Sequence, residues 1–370
     1  LDTAFESHLT GLLVPMFDDL ELKAMLRTYA QLVRLPNVFT AWADICMGWM
    51  VARGLYQLPY LGDPAYPEFL WWLPDLPPLL FMLAASGCLY LSGMVWNDYF
   101  DAEVDNRERP WRPIPSGRVS KRTAAWLGTA LMILGVCLAG ASQLAPGLQL
   151  KTRSDFYARL SISIALILAI FAYNRGAKNT PGGPLVMGFC RFFNVWLGIF
   201  AGLGFNSQFL QSYHVAGVVG LYITGVTWFA RKEAGTSPRG ELCLAAAVIA
   251  AAIALAVFLP LHRWSREAID RLNEQGIYVN FEPDGLPLES FEVRLYPYYL
   301  LLLALHIAVP IGLAIRVPSP QRVQFAVKCC ILGLIGLDAV MAFCVVGWPG
   351  LLILLLLAPA LVLGKWVYST

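Results

Sequence analysis

The apolar run Leu79-Leu80-Phe81-Met82-Leu83-Ala84-Ala85-Ser86-Gly87-Cys88-Leu89-Tyr90-Leu91-Ser92-Gly93-Met94-Val95 leads almost directly into Asn97-Asp98-Tyr99-Phe100-Asp101-Ala102-Glu103-Val104-Asp105. The first stretch is long enough to enter a bilayer. If the helix continues, residues 97, 101 and 105 place an amide and two carboxylates a turn apart on one face, with Asp98 about 100° round from Asn97. Oxygen ligands in such a row suit Mg²⁺, which takes carboxylates, keeps waters and shares its other positions with phosphate oxygens. Arg109 and Arg112, just downstream, supply the forked donors that phosphate prefers. A charged run after a membrane span is ordinarily a solvated loop. The order here is more specific: oxygen ligands at helical spacing, then arginines, then Pro113, Pro115 and Gly117 to turn the chain. It reads as a diphosphate–magnesium site at a membrane edge.

Composition points to lipid independently. Of 370 residues, 58% are hydrophobic and 14% charged, and mean hydropathy is +0.59. Soluble domains carry about a quarter charged residues. The net charge of +2 gives no sign of a nucleic-acid partner. His8, His214, His262 and His306 are too scattered for a histidine metal site, and the eight cysteines fall in apolar runs without Cys-x-x-Cys spacing. They read as small hydrophobes.

Residues 1–33 contain no basic segment followed by an apolar core, so no cleaved signal peptide is expected. From Phe17 to Leu35 the apolar spacing predicts either an amphipathic surface helix or a helical lead-in to the first span. Ten spans are predicted, at about 37–57, 78–100, 122–144, 157–174, 184–205, 213–230, 240–262, 297–316, 324–346 and 349–366. The last two could form one broken hairpin around Gly347-Trp348-Pro349-Gly350. Basic residues cluster after every even-numbered span: Arg107 to Arg122, Arg175 and Lys178, Arg231 to Arg239, Arg316 and Arg322. The positive-inside rule puts those ends in the cytoplasm. The longest opposite loop, Arg263 to Glu292, predicts a short surface helix over Arg266 to Glu274. No linker divides the chain. Its expected organisation is a lead-in over 1–36, an all-α polytopic bundle over 37–346 and an additional segment over 347–370.

The second stretch with chemistry is Tyr173-Asn174-Arg175-Gly176-Ala177-Lys178-Asn179-Thr180-Pro181-Gly182-Gly183-Pro184, whose glycines and prolines prescribe a tight return into the membrane. Beyond it, Arg191 and Asn194 lie inside an otherwise apolar helix. An arginine there is expected to face the bundle interior and pair with a carboxylate, Asp98 or Glu233, or with bound diphosphate. The alternative is snorkelling to the interface.

Asn97-Asp98-x-x-Asp101-x-x-x-Asp105 followed by Arg109-Pro110-x-Arg112-Pro113-x-Pro115-x-Gly117-Arg118 resembles the first signature of the UbiA superfamily of intramembrane prenyltransferases. Arg34-Leu35-Pro36-Asn37 is similar to that family's entry into its first helix. The resemblance implies a bundle of about nine core spans, with a tenth added here. It also implies Mg²⁺-dependent transfer from a prenyl diphosphate to a lipophilic acceptor. Asp101, Asp105 and Lys178 are then the expected catalytic set. Asn97, Asp98, Asp101, Asp105 and Glu233 are the expected metal ligands. Arg34, Asn37, Arg109, Arg112, Asn174, Arg191, Asn194, Arg231 and Lys232 are the expected substrate contacts. Trp42, Phe81, Phe192, Phe193, Trp196 and Trp228 are candidates to line an isoprenoid tunnel.

The sequence departs from the family at the sixth span. Tyr222 to Ser237 keeps a closing Gly-x-Ser but contains no aspartate, and Glu233, beside Arg231 and Lys232, is its single carboxylate. Three readings follow: Glu233 supports a second metal, the basic pair replaces metal charge on the diphosphate, or turnover is lost and only lipid-diphosphate binding remains. Asp338, inside the ninth predicted span, is the feature that would suit an ion-coupled transporter instead.

Overall fold

The computed structural model describes residues 19–57, 76–145, 153–202, 209–233, 235, 237–261 and 291–368. The described residues form helices and turns only. They are α1 (Asp19–Leu32), α2 (Val38–Gln57), α3 (Leu76–Glu108), α4 (Lys121–Ala141), α5 (Arg153–Arg175), α6 (Gly183–Gly202), α7 (Phe209–Ala230), α8 (Arg239–Ala256), α9 (Phe291–Arg316), α10 (Pro320–Val346) and α11 (Leu357–Tyr368). Short 3₁₀ turns at Leu35–Asn37 and Ala177–Asn179 lead into α2 and α6. The predicted surface helix over Arg266 to Glu274 lies outside the described residues.

Nine helical segments among the described residues are long and apolar enough to cross a bilayer. They match nine of the ten predicted spans. The remaining one, α2, has 20 residues, the length a crossing needs, and carries Asp44 within it. It sits centrally, packed against α3, α6, α7 and α10. Its crossing with α6 is made close by small residues: a Cβ on Gly48 would meet the Val195 carbonyl oxygen at 2.6 Å, and one on Gly198 the Ile45 carbonyl oxygen at 2.5 Å. Sequence neighbours from α3 to α10 pack side by side, and α10 returns onto α2 to close the bundle.

The tenth predicted span differs in form. Trp348–Leu356 is a nine-residue 3₁₀ helix and only Leu357–Tyr368 is α-helical. Pro359 lacks the N–H that an α-helix would offer to Leu355, which discourages a regular helix through this point. At about 2.0 Å and 1.5 Å rise per residue the two pieces together still cover roughly 36 Å. Gly347, at φ 71°, turns the chain out of α10. All eight cysteines are free, as their apolar setting predicts.

Of the described helices, α3 positions most of the candidate chemistry. Its 33 residues reach about 50 Å, beyond a hydrocarbon core of about 30 Å. The turns carrying Asn97 to Asp105 are therefore continuous with the buried part and inherit its rigidity. Ser120 caps α4, its hydroxyl accepting the Thr123 amide at 3.0 Å.

Candidate active site

The end of α3, the loop 109–119, the α5–α6 turn and the end of α7 meet at one end of the bundle. Their side chains form two linked groups. In the first, Asn97 donates to Asp101 at 3.3 Å and the Lys178 ammonium pairs with Asp101. In the second, the Arg112 guanidinium bridges Asp105 at 2.6 Å and Asp98 at 3.3 Å, and Arg34 reaches Asp98 at 3.1 Å. The expected single row at 97, 101 and 105 is thus divided. Residues seven apart drift by about 20° on a straight helix, whereas eight apart differ by about 80°. Asp105 consequently shares a face with Asp98 and not with Asn97.

Local sequence accounts for these placements. Arg109 and Arg112 fold back over α3 because the Arg109 amide bonds the Asp105 carbonyl at 2.7 Å and the Arg112 amide bonds the Arg109 carbonyl. Gly117, at φ 75°, completes the loop. Arg118 holds the loop from outside, donating to the Trp111 carbonyl at 2.6 Å and to Gln31 on α1 at 3.0 Å. Arg34 adopts a left-handed conformation, φ 48°, which aims it at Asp98 just before the Leu35–Asn37 turn. Lys178 projects from the Ala177–Asn179 turn, and the return into α6 depends on Gly183, where a Cβ would meet the Ala177 carbonyl oxygen at 2.6 Å.

At the end of α7 the pair Arg231 and Lys232 divides. Arg231 donates to the Asn179 carbonyl at 3.3 Å, beside Lys178. Lys232 turns the other way and pairs with Glu241 in the first turn of α8 at 2.7 Å, with both side chains largely exposed. The two adjacent basic residues thus turn different ways, the acidic start of α8 holding Lys232. Glu233 is half-buried, and burial pushes its carboxyl above the usual carboxylate range despite the opposing pull of Arg109 and Arg34. Those two cations make Glu233 a member of the site's field.

The deeper candidates make a separate set of contacts. Arg191 faces the interior as expected, but its partners are Asp44 at 3.0 Å and Thr40 at 2.8 Å on α2, with its guanidinium over the Tyr90 ring at 5.5 Å. Asp98 and Glu233 are not among those partners, because Asp44 faces Arg191 across the close α2–α6 crossing. Asn194 donates to Asp44 and to the Ala41 carbonyl, each at 2.9 Å, and accepts from Ser86 at 2.6 Å. Asn174 donates to the Gly93 carbonyl at 3.1 Å and ties α5 to α3. Asn37 ends its 3₁₀ turn, and its carbonyl accepts the Thr40 hydroxyl at 2.8 Å. Of the aromatic candidates, Trp42 donates to the Leu83 carbonyl at 2.9 Å. Phe192, Phe193 and Trp196 form a ring cluster with Tyr213, while Phe81 and Trp228 are partly buried. Asp44 was missed by the sequence reading. The rule that singled out Arg191, an ionisable residue inside an apolar helix, applies to it equally.

Among the described residues no three His, Cys, Asp or Glu side chains gather as a metal centre. The donor set nevertheless fits Mg²⁺. It is oxygen-only, and that ion needs one or two carboxylates when water and phosphate supply the rest. The cationic partners of Asp98, Asp101 and Asp105 are of the kind that a diphosphate would attract.

An all-helical membrane bundle with paired carboxylates and arginines at one end defines a class, and sequence comparison gives it a family. The sequence model of the UbiA prenyltransferase family matches residues 65–271, more than half of the chain. The chain belongs to that family and is an integral membrane protein. It is 34% identical over 113 residues to the digeranylgeranylglyceryl phosphate synthase of Saccharolobus solfataricus, covering 30% of this chain and 34% of that one. It is also 34% identical over 165 residues to the synthase of the same name from Korarchaeum cryptofilum, covering 44% and 47%. The matched stretches span less than half the length of these two relatives. A solved structure concerned with digeranylgeranylglyceryl phosphate synthase in membranes aligns with TM-score 0.54 at 18% identity, covering 87% of this chain and 99% of that one. That likeness concerns the fold.

Proposed function

We propose that the protein transfers a prenyl group from a prenyl diphosphate to a lipophilic acceptor within the membrane, with Mg²⁺ and with its site on the cytoplasmic side. The observation that carries this reading is the set of cations around the end of α3: Arg34, Arg112 and Lys178 each pair with a carboxylate of the Asn97–Asp105 stretch. Asn97 and Asp101 on one face, and Asp98 and Asp105 on the next, would hold the metal. Bound there, Mg²⁺ would neutralise charge on the leaving diphosphate.

The chain's own part is charge stabilisation and exclusion of water. Arg34, Arg112 and Lys178 bind the diphosphate oxygens and stabilise the negative charge that grows as the carbon–oxygen bond breaks. Arg109 and Arg231 extend the same field. Pyrophosphate leaves, the allylic carbocation bonds to the acceptor, and the acceptor loses a proton. The apolar interior keeps bulk water from competing for the cation. The relatives named as digeranylgeranylglyceryl phosphate synthases make geranylgeranyl diphosphate as donor and geranylgeranylglyceryl phosphate as lipophilic acceptor the first pair to assay.

The second reading, a family member that binds a prenyl or lipid diphosphate without turnover, draws on Glu233 being the single carboxylate at the end of α7. The test is Mg²⁺-dependent pyrophosphate release by purified protein, with donors of several chain lengths. Release that disappears with EDTA and with Asp101→Asn supports transfer. Donor binding without release from any donor supports the second reading.

A further inference from the structure

Away from the diphosphate site, α2, α6 and α10 enclose a second polar group. Asp44 and Asp338 are both fully buried, and Asp338 lies beside Asp44 within hydrogen-bonding reach. Asp44 Oδ2 accepts from Arg191 and from Asn194. Asp44 Oδ1 and both oxygens of Asp338 have no hydrogen-bond donor. The groups facing the pair are Arg191 from α6, Cys46 from α2, Tyr90 from α3 and Tyr222 from α7. Of these only Arg191 is charged at neutral pH.

Two carboxylates beside one guanidinium would leave a buried negative charge without compensation, and such a charge is expensive in a low-dielectric interior. A single proton removes that charge. It also supplies the donor that Asp44 Oδ1 lacks. The two donors on Asp44 Oδ2 hold Asp44 as the ionised partner, so the proton belongs to Asp338. We propose that Asp338 is a protonated carboxylic acid that donates to Asp44 Oδ1, making the α2–α6–α10 junction a binding site for one proton. Complete burial of both carboxyls makes this a resident proton. It joins α10 to the network that already ties α2 and α6 to Ser86 of α3.

The sign of the pH effect follows. The folded protein binds a proton here that an exposed aspartic acid has released by neutral pH, so this contribution to stability falls as pH rises beyond the range in which exposed aspartic acids titrate. Above that range the folding equilibrium weakens by up to tenfold per pH unit, equivalent to about 1.4 kcal/mol. Asp338→Asn keeps a donor for Asp44 without a titrating proton.

Infrared spectroscopy of the purified protein at neutral pH tests the assignment directly. A carboxylic-acid carbonyl band that Asp338→Asn removes is expected, and absence of such a difference overturns the proposal. If that variant does not fold, isotopic labelling of aspartate carboxyls in the wild type reads the same band, and no label-shifted acid band at neutral pH is equally fatal. Thermal unfolding from about pH 6 to about pH 10 gives the second readout: the midpoint of the wild type should fall more steeply than that of Asp338→Asn. Parallel curves, or restoration of the alkaline midpoint by Na⁺, would show that the pair does not hold a proton.

Discussion

Arg34 combines a left-handed backbone with a charge aimed at the site. That conformation costs a non-glycine residue about 1–2 kcal/mol, so two substitutions separate backbone from side chain. Arg34→Gly and Arg34→Ala both remove a partner of Asp98, but the glycine variant should be the more stable by about 1 kcal/mol in thermal unfolding. Arg112→Ala should be worse than either, because it removes the cation from Asp105 and one of two from Asp98. A loss of about 3 kcal/mol is expected for a buried pair left half-made. At the end of α7, Glu233→Gln should sharply reduce pyrophosphate release while donor affinity survives. Arg231→Ala should weaken donor affinity in a binding titration, and Lys232→Ala should leave it unchanged. The last contrast was invisible in the sequence, where Arg231 and Lys232 are adjacent and equivalent. Only the placement of Glu241 shows which way each turns.

At the level of helices, length and apolarity made nearly every span legible, because each crossing segment needs about 20 apolar residues whatever its neighbours. What remained hidden was which helix is central. Asp44 puts a carboxylate inside α2, and the partner that explains it, Arg191, is 147 residues further along the chain. The glycines that bring the two together could not be distinguished from other glycines by type. Gly198→Ala should therefore act as an element-scale change. Its Cβ meets the backbone of Ile45, which cannot rotate away. A loss of about 1–3 kcal/mol is expected in thermal unfolding, against little change for Gly217→Ala, where a Cβ meets nothing within 4 Å. The first signature was legible for the opposite reason. Its residues are local, spaced along one helix and its following loop, so their proximity needs no tertiary information. Its division into two pairs followed from helical drift, which a three-residue row conceals.

For the whole molecule, the segment beyond Gly347 is more than a lipid-facing appendage. Ala360 packs with Val38 and Phe39 at the start of α2. The Val367 carbonyl accepts from Arg27 at 3.4 Å and Gln31 at 3.0 Å on α1. Removing residues 348–370 should raise the KM for a prenyl diphosphate donor, because the turn that aims Arg34 loses its support. An unchanged KM would make the segment an independent anchor. The contact between α1 and the end of α11 also has a temporal side. Some 340 residues separate Arg27 from its acceptor, so it can form only after the intervening helices have been inserted. Local helices assemble early, whereas contacts between distant parts of a chain come late. During synthesis, the carboxylates of α3 would thus be in place well before the lip around Arg34 is secured by the docking of α11.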